Sequence, residues 1–105
     1  MMGITENKNP FAAKSPALRV TNIVQTCGAC PSQWEGKVED GRMIYIRYRH
    51  GYLSIEASIH PSNDVDDAIG EDCILGLQHG DNYDGVMDFE DLVSLSKEVL
   101  DFSNI

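Results

Sequence analysis

The chain has 105 residues, of which 42% are apolar and 24% charged, and it carries a formal net charge of −9. That length supports one modest core, and that composition excludes a disordered or membrane-spanning chain, since no apolar run approaches the roughly twenty residues a bilayer needs. The charge is lopsided: residues 51–105 hold thirteen Asp and Glu against Lys97 alone, whereas residues 1–50 hold four acids against seven Lys and Arg. So acidic a surface argues against direct nucleic-acid binding, which depends on Lys and Arg, and favours cationic partners.

Residues 1–16 carry prolines, asparagines and little apolar periodicity, and are expected to form a flexible tail ahead of a single domain over 17–105. They lack the apolar core of a secretory signal, and the three cysteines are an odd number, so a cytoplasmic setting with reduced thiols is expected. Arg19 to Gln25 is rich in β-branched residues and predicts a first strand, closed by Cys27-Gly-Ala-Cys30-Pro31, with a second over Trp34 to Val38. After the Glu39-Asp40-Gly41 turn, Ile44, Ile46 and Tyr48 alternate with Met43, Tyr45, Arg47 and Arg49. A His50-Gly51 turn then leads to Leu53, Ile55, Ala57 and Ile59 at the same period of two.

Pro61 ends this meander. Ser62-Asn63-Asp64 and Gly70 bracket a helical turn, and Cys73 to Gln78 predicts another short strand. From Asp88, placed as an N-cap, the period changes: Phe89, Leu92, Val93, Ser96, Val99 and Leu100 share one helical face. The expected fold class is α+β: a three- to five-stranded antiparallel sheet whose apolar face is covered by one C-terminal amphipathic helix.

Asp88, Glu90 and Asp91 fall in the first helical turn, where negative charge favours the helix dipole. Asp64, Asp66, Asp67, Glu71, Asp72, Asp81 and Asp84 lie in loops and short elements with almost no bases nearby, and are the candidate partner-binding residues. Arg42, Arg47 and Arg49 are expected to pair with some of these acids within the chain.

Two patterns suggest metal. Residues 80–91 resemble an EF-hand loop, with Asn82, Asp84, Gly85, Met87, Asp88 and Asp91 in suitable positions, but Gly80 stands where the first ligand belongs and Asp91 is shorter than the usual Glu. Cys27 and Cys30, with Cys73 and His79, offer four zinc-type ligands, yet the second closely spaced pair of a zinc signature is missing. A redox role for the Cys27–Cys30 pair lacks the surrounding βαβ pattern, and the plainer expectation is a turn with buried thiols. Trp34-Glu35 and Asp40-Gly41-Arg42 look like the start of a WW domain, but the second tryptophan is absent, so Trp34 is expected in the core. His50, His60 and His79 are scattered through turns, with no nucleophile in a recognisable motif beside them.

The string Cys30-Pro-Ser-Gln-Trp-Glu-Gly36, with Asp40-Gly-Arg42, Ile44-Tyr-Ile-Arg-Tyr-Arg-His-Gly51 and Asp84-Gly85…Phe89-Glu-Asp-Leu92, resembles a group of small uncharacterised proteins of bacteria, prophages and phages. The resemblance implies a phage-type setting and brings no activity. Charge and setting together lead to the expectation of a non-enzymatic binding module, without a cofactor, whose acidic half docks on a basic, nucleic-acid-binding surface of a host protein, as anti-defence inhibitors and DNA mimics do.

Overall fold

In the computed structural model the described residues are 16–105, so all but Pro16 of the expected tail lies outside them. Six strands, β1 (Leu18–Gly28), β2 (Ser32–Val38), β3 (Arg42–Arg49), β4 (Tyr52–Pro61), β5 (Asp72–Gln78) and β6 (Leu100–Asp101), form one sheet in the order β5-β4-β3-β2-β1-β6. A 3-10 turn, Val65–Asp67, precedes β5, and one helix, α1 (Phe89–Ser96), precedes β6.

The first four strands follow from the alternation in the sequence. Ile44, Ile46 and Tyr48 of β3 and Leu53, Ile55 and Ala57 of β4 point to one face and are fully buried, joined there by Trp34 and Val38 of β2. Ile59 breaks the pattern. It was expected on the inner face and is 61% exposed. The register explains this: Ile44 faces Ala57 but Arg42 faces Pro61, so β4 carries extra residues between them. Ser58 turns inward at the bulge, and its hydroxyl oxygen accepts the Met43 N–H at 2.9 Å in place of a ladder carbonyl.

The sheet is six-stranded and mixed, not a smaller antiparallel one. β1 to β5 pair antiparallel, whereas β6 lies parallel to β1 through Leu18–Leu100 and Arg19–Asp101. The helix is correspondingly shorter than the apolar pattern suggests. It stops at Ser96, whose hydroxyl donates to the Leu92 carbonyl at 2.6 Å, and Leu100 then reaches the core as a strand residue. Asp88 occupies the N-cap position but makes no side-chain capping bond.

Because β5 and β6 are the two edges, residues 79–99 must pass from one edge to the other. In doing so they bring Met87 and Leu92 into the cluster formed by Ile44, Ile46, Ile55 and Trp34. Topology therefore supplies the cover that the apolar face requires. At the Leu18 end the edges curl toward each other, so that Leu18 and Val99 share the lining of a hollow of about 440 Å³ with Ile74 of β5 and with Arg42 and Asp72.

Candidate functional site

The seven candidate acids do not form one patch. Antiparallel pairing places the β2–β3 turn and the segment 61–71 at one end of the sheet, with Ser62 donating its N–H to the Gly41 carbonyl at 3.1 Å. The β1–β2 turn, the β3–β4 turn and residues 79–88 meet at the opposite end, where Gly51 N–H donates to the Asp84 carbonyl at 2.7 Å. β5 runs between the two ends, a distance of about 20 Å at the usual rise per residue. Asp64, Asp66, Asp67, Glu71 and Asp72 therefore stand together, and Asp81 and Asp84 stand apart from them.

At the first end the carboxylates are partly occupied. Asp64 caps the 3-10 turn by accepting the Asp66 N–H at 3.0 Å, and Asp67 accepts the Ser62 hydroxyl at 2.6 Å. Asp72 lies 3.5 Å from Arg42, which also holds Asp40 at 2.9 Å. Asp66 and Glu71 are exposed and make no such bond among the described residues. With Asp67, they line a hollow of about 400 Å³ together with Ile59, His60 and Ser62. The exposed Ile59 supplies this hollow with an apolar wall beside carboxylates, a combination suited to the stem and charged head of a Lys or Arg side chain.

At the second end, Asp81 and Asp84 have structural work. Asp81 accepts the Tyr83 N–H at 2.9 Å in an Asx-type turn. Asp84 accepts the hydroxyl of the fully buried Tyr48 at 2.5 Å. Burial first, and then the Asp84 carboxylate, push the Tyr48 phenol up from 10.0 to about 12.

This contact also accounts for the missing first ligand of the EF-hand-like pattern. A side chain at Gly80 would place its Cβ 2.3 Å from the Tyr48 hydroxyl and 2.5 Å from Asp84 Oδ2. The Gly85 carbonyl faces the β1–β2 turn, accepting from Cys30 at 2.8 Å and from Ser32 at 3.0 Å, while Met87 is buried. The segment is thus a brace across two turns of the sheet, β1–β2 and β3–β4.

The zinc-type residues are likewise separated. Cys27, Cys30 and His79 belong to the second end, and Cys73 lies near the start of β5, at the other. Among the described residues no three of His, Cys, Asp and Glu gather in a way that would hold a metal ion. The thiols are not buried as expected: Cys30 and Cys73 are exposed and Cys27 is half-buried. Cys30 is drawn outward in a tight turn, with φ of 50° ahead of a cis bond to Pro31. Trp34, by contrast, is in the core.

The arginines divide in a way the sequence does not indicate. Arg42 pairs with Asp40 and Asp72, and Arg19 with Glu39 and Asp101 at 3.8 and 3.7 Å. Arg47 and Arg49, expected to pair in the same way, meet no carboxylate among the described residues, and Arg47 Nε is buried without a hydrogen-bond partner. Both lie on the outer face of the central strand β3, side by side, and the nearest acids on that face, Glu35 of β2 and Glu56 of β4, stand opposite Tyr45, one ladder pair beyond Arg47, without pairing with it.

No helix among the described residues is long and apolar enough to cross a membrane. Comparison of the chain with protein-family models, with curated proteins and with solved structures finds no match.

Proposed function

We propose that this protein is a binding module that docks through its acidic end, Asp64, Asp66, Asp67, Glu71 and Asp72, on a basic surface of another protein. The observation that carries the reading is the hollow of about 400 Å³ in which Asp66, Asp67 and Glu71 stand beside the exposed Ile59. A basic side chain entering it meets apolar surface along its stem and carboxylates at its head, so binding combines area and charge. A nucleic-acid-binding protein is the favoured partner class, because its phosphate-binding face presents such side chains in a row. Asp81 and Asp84, engaged at the other end, have no part in this surface.

The test is capture of partners on the immobilised chain, with elution in a salt gradient and identification by mass spectrometry, repeated with the Asp66→Lys/Glu71→Lys variant. A basic partner should be retained by the wild type, lost from the variant, and weakened about tenfold or more between low and near-physiological salt. An affinity independent of salt, or unaffected by the double substitution, would refute the docking model.

A further inference from the structure

Arg47 and Arg49 alternate with Tyr48 on β3 and so project from the outer face of the sheet, opposite the face that makes the core. Their neighbours across the ladder are polar: Arg47 is opposite Gln33 on β2 and Ser54 on β4, and Arg49 is opposite Tyr52. Together with His50, the residues Arg47, Arg49, Tyr52 and Ser54 line a hollow of about 220 Å³ to which no carboxylate among the described residues contributes. Tyr52 is held over β5 because Gly76 has no side chain; a Cβ there would come within 2.0 Å of the Tyr52 hydroxyl.

Residues two apart on one face of a strand are about 7 Å apart, so the two guanidinium groups repel each other. In a chain with 17 acids and 8 Lys and Arg, a pair of arginines that forms no ion pair among the described residues is conspicuous. Its contrast with Arg19 and Arg42, each of which has two acidic partners, shows that acids were within the chain's means. The buried, unpartnered Arg47 Nε adds a specific deficit, because a buried charged donor costs several times what an exposed one does when left without an acceptor. An oxygen-rich anion in the hollow would bridge both guanidiniums through bonds from their terminal nitrogens and relieve the repulsion between them.

We propose that Arg47 and Arg49, with Tyr52 and Ser54, form a binding site for a small oxyanion, a phosphate monoester or a carboxylate. The size of the hollow and the net charge of −9 favour a small ligand over a nucleic acid, whose long phosphate chain the rest of the surface repels. The site is on a different face from the acidic docking end and does not depend on it.

The experiment is an amide NMR titration of the full chain with inorganic phosphate and, separately, with citrate, at ionic strength matched with chloride, for wild type, Arg47→Gln and Arg49→Gln. Saturable shifts at Arg47, Arg49, Tyr52 and Ser54 are expected below about 10 mM anion, with residues 61–72 unmoved and with affinity reduced about tenfold in each variant. A response to phosphate alone assigns the phosphoryl source, and a response to citrate alone the carboxylate source; either supports the site. Absence of saturable shifts, equal shifts with chloride, or binding undiminished in both variants would overturn it. Arg49 is exposed, so Arg49→Gln keeps the test decisive should Arg47→Gln disturb the sheet.

Discussion

Tyr48 shows how one side chain joins two functions of the structure. Its ring belongs to the core, and its hydroxyl reaches through to Asp84 and secures the 79–88 brace. Tyr48→Phe removes a hydrogen bond to a charged acceptor and should cost about 1.5–3 kcal/mol at pH 8 in urea denaturation. The phenol is raised from 10.0 to about 12, so the folded chain holds this proton more tightly than the unfolded one. The associated stability is complete below pH 10 and is lost as pH rises from there through about 12. Wild type should therefore lose stability in that window, and Tyr48→Phe should lose less; parallel curves would count against the assignment. Gly80→Ala attacks the same contact sterically. Because a Cβ would overlap the Tyr48–Asp84 bond, it should lower stability by about 1–3 kcal/mol, measured by the same titration. Replacement of Gly80 without loss would show that the brace yields freely.

Among the elements, α1 and β6 have the least regular structure of their own and depend most on what they touch. Eight residues cannot hold a helix in water unaided, so α1 exists because Leu92 and Ser96 are buried against the sheet. Leu92→Ala should cost about 2–5 kcal/mol and, in hydrogen exchange, deprotect α1 and β6 before the β2–β4 core. β6 is held by its short ladder to β1 and by Asp101. Hydrogen bonds from Ser103 hold the Asp101 carboxyl below its ordinary range, with Arg19 adding to them. A lowered carboxyl stabilises the fold above its unfolded value and ceases to do so as pH falls through the folded one. Chemical shifts of Leu100 and Ser103 amides should therefore follow Asp101 through an acidic midpoint, and a midpoint at or above the ordinary carboxylate value would contradict the contact.

For the whole molecule, the distribution of charge matters more than its total. The four ion pairs of Arg19 and Arg42 are at least partly exposed and each contributes little. The net charge of −9 opposes compactness, so melting temperature should rise as salt is added from low ionic strength to about 0.15 M. At the acidic end Asp66 and Glu71 make no side-chain bond among the described residues that the fold needs. The Asp66→Asn/Glu71→Gln variant should be as stable as wild type or more so while binding a basic partner less well. A clear loss of stability would make those acids structural and remove them from the proposed surface.

The strong local signals in the sequence were those with a regular period. β3 and β4, the turn at Gly51, the core position of Trp34 and the start of α1 all follow from alternation, turn chemistry or helical spacing, which are properties of neighbouring residues. Charge asymmetry was equally legible, since it needs only counting. The failures share one cause, which is contact between residues distant in the chain. A strand as short as β6 carries no period, and the inward turn of Ser58 depends on where Met43 sits. Asp84 reads as a metal ligand until Tyr48 is seen donating to it, and Gly80 as a defect until that hydroxyl is seen to fill its space. Sequence alone thus determined the strands β1 to β5, most of the core face and the amount of acid, because these depend on local pattern and composition. Only the tertiary structure decided which acids stand together and which arginines stand without a counter-charge, because the pairing of strands sends residues close in sequence to opposite ends of the sheet.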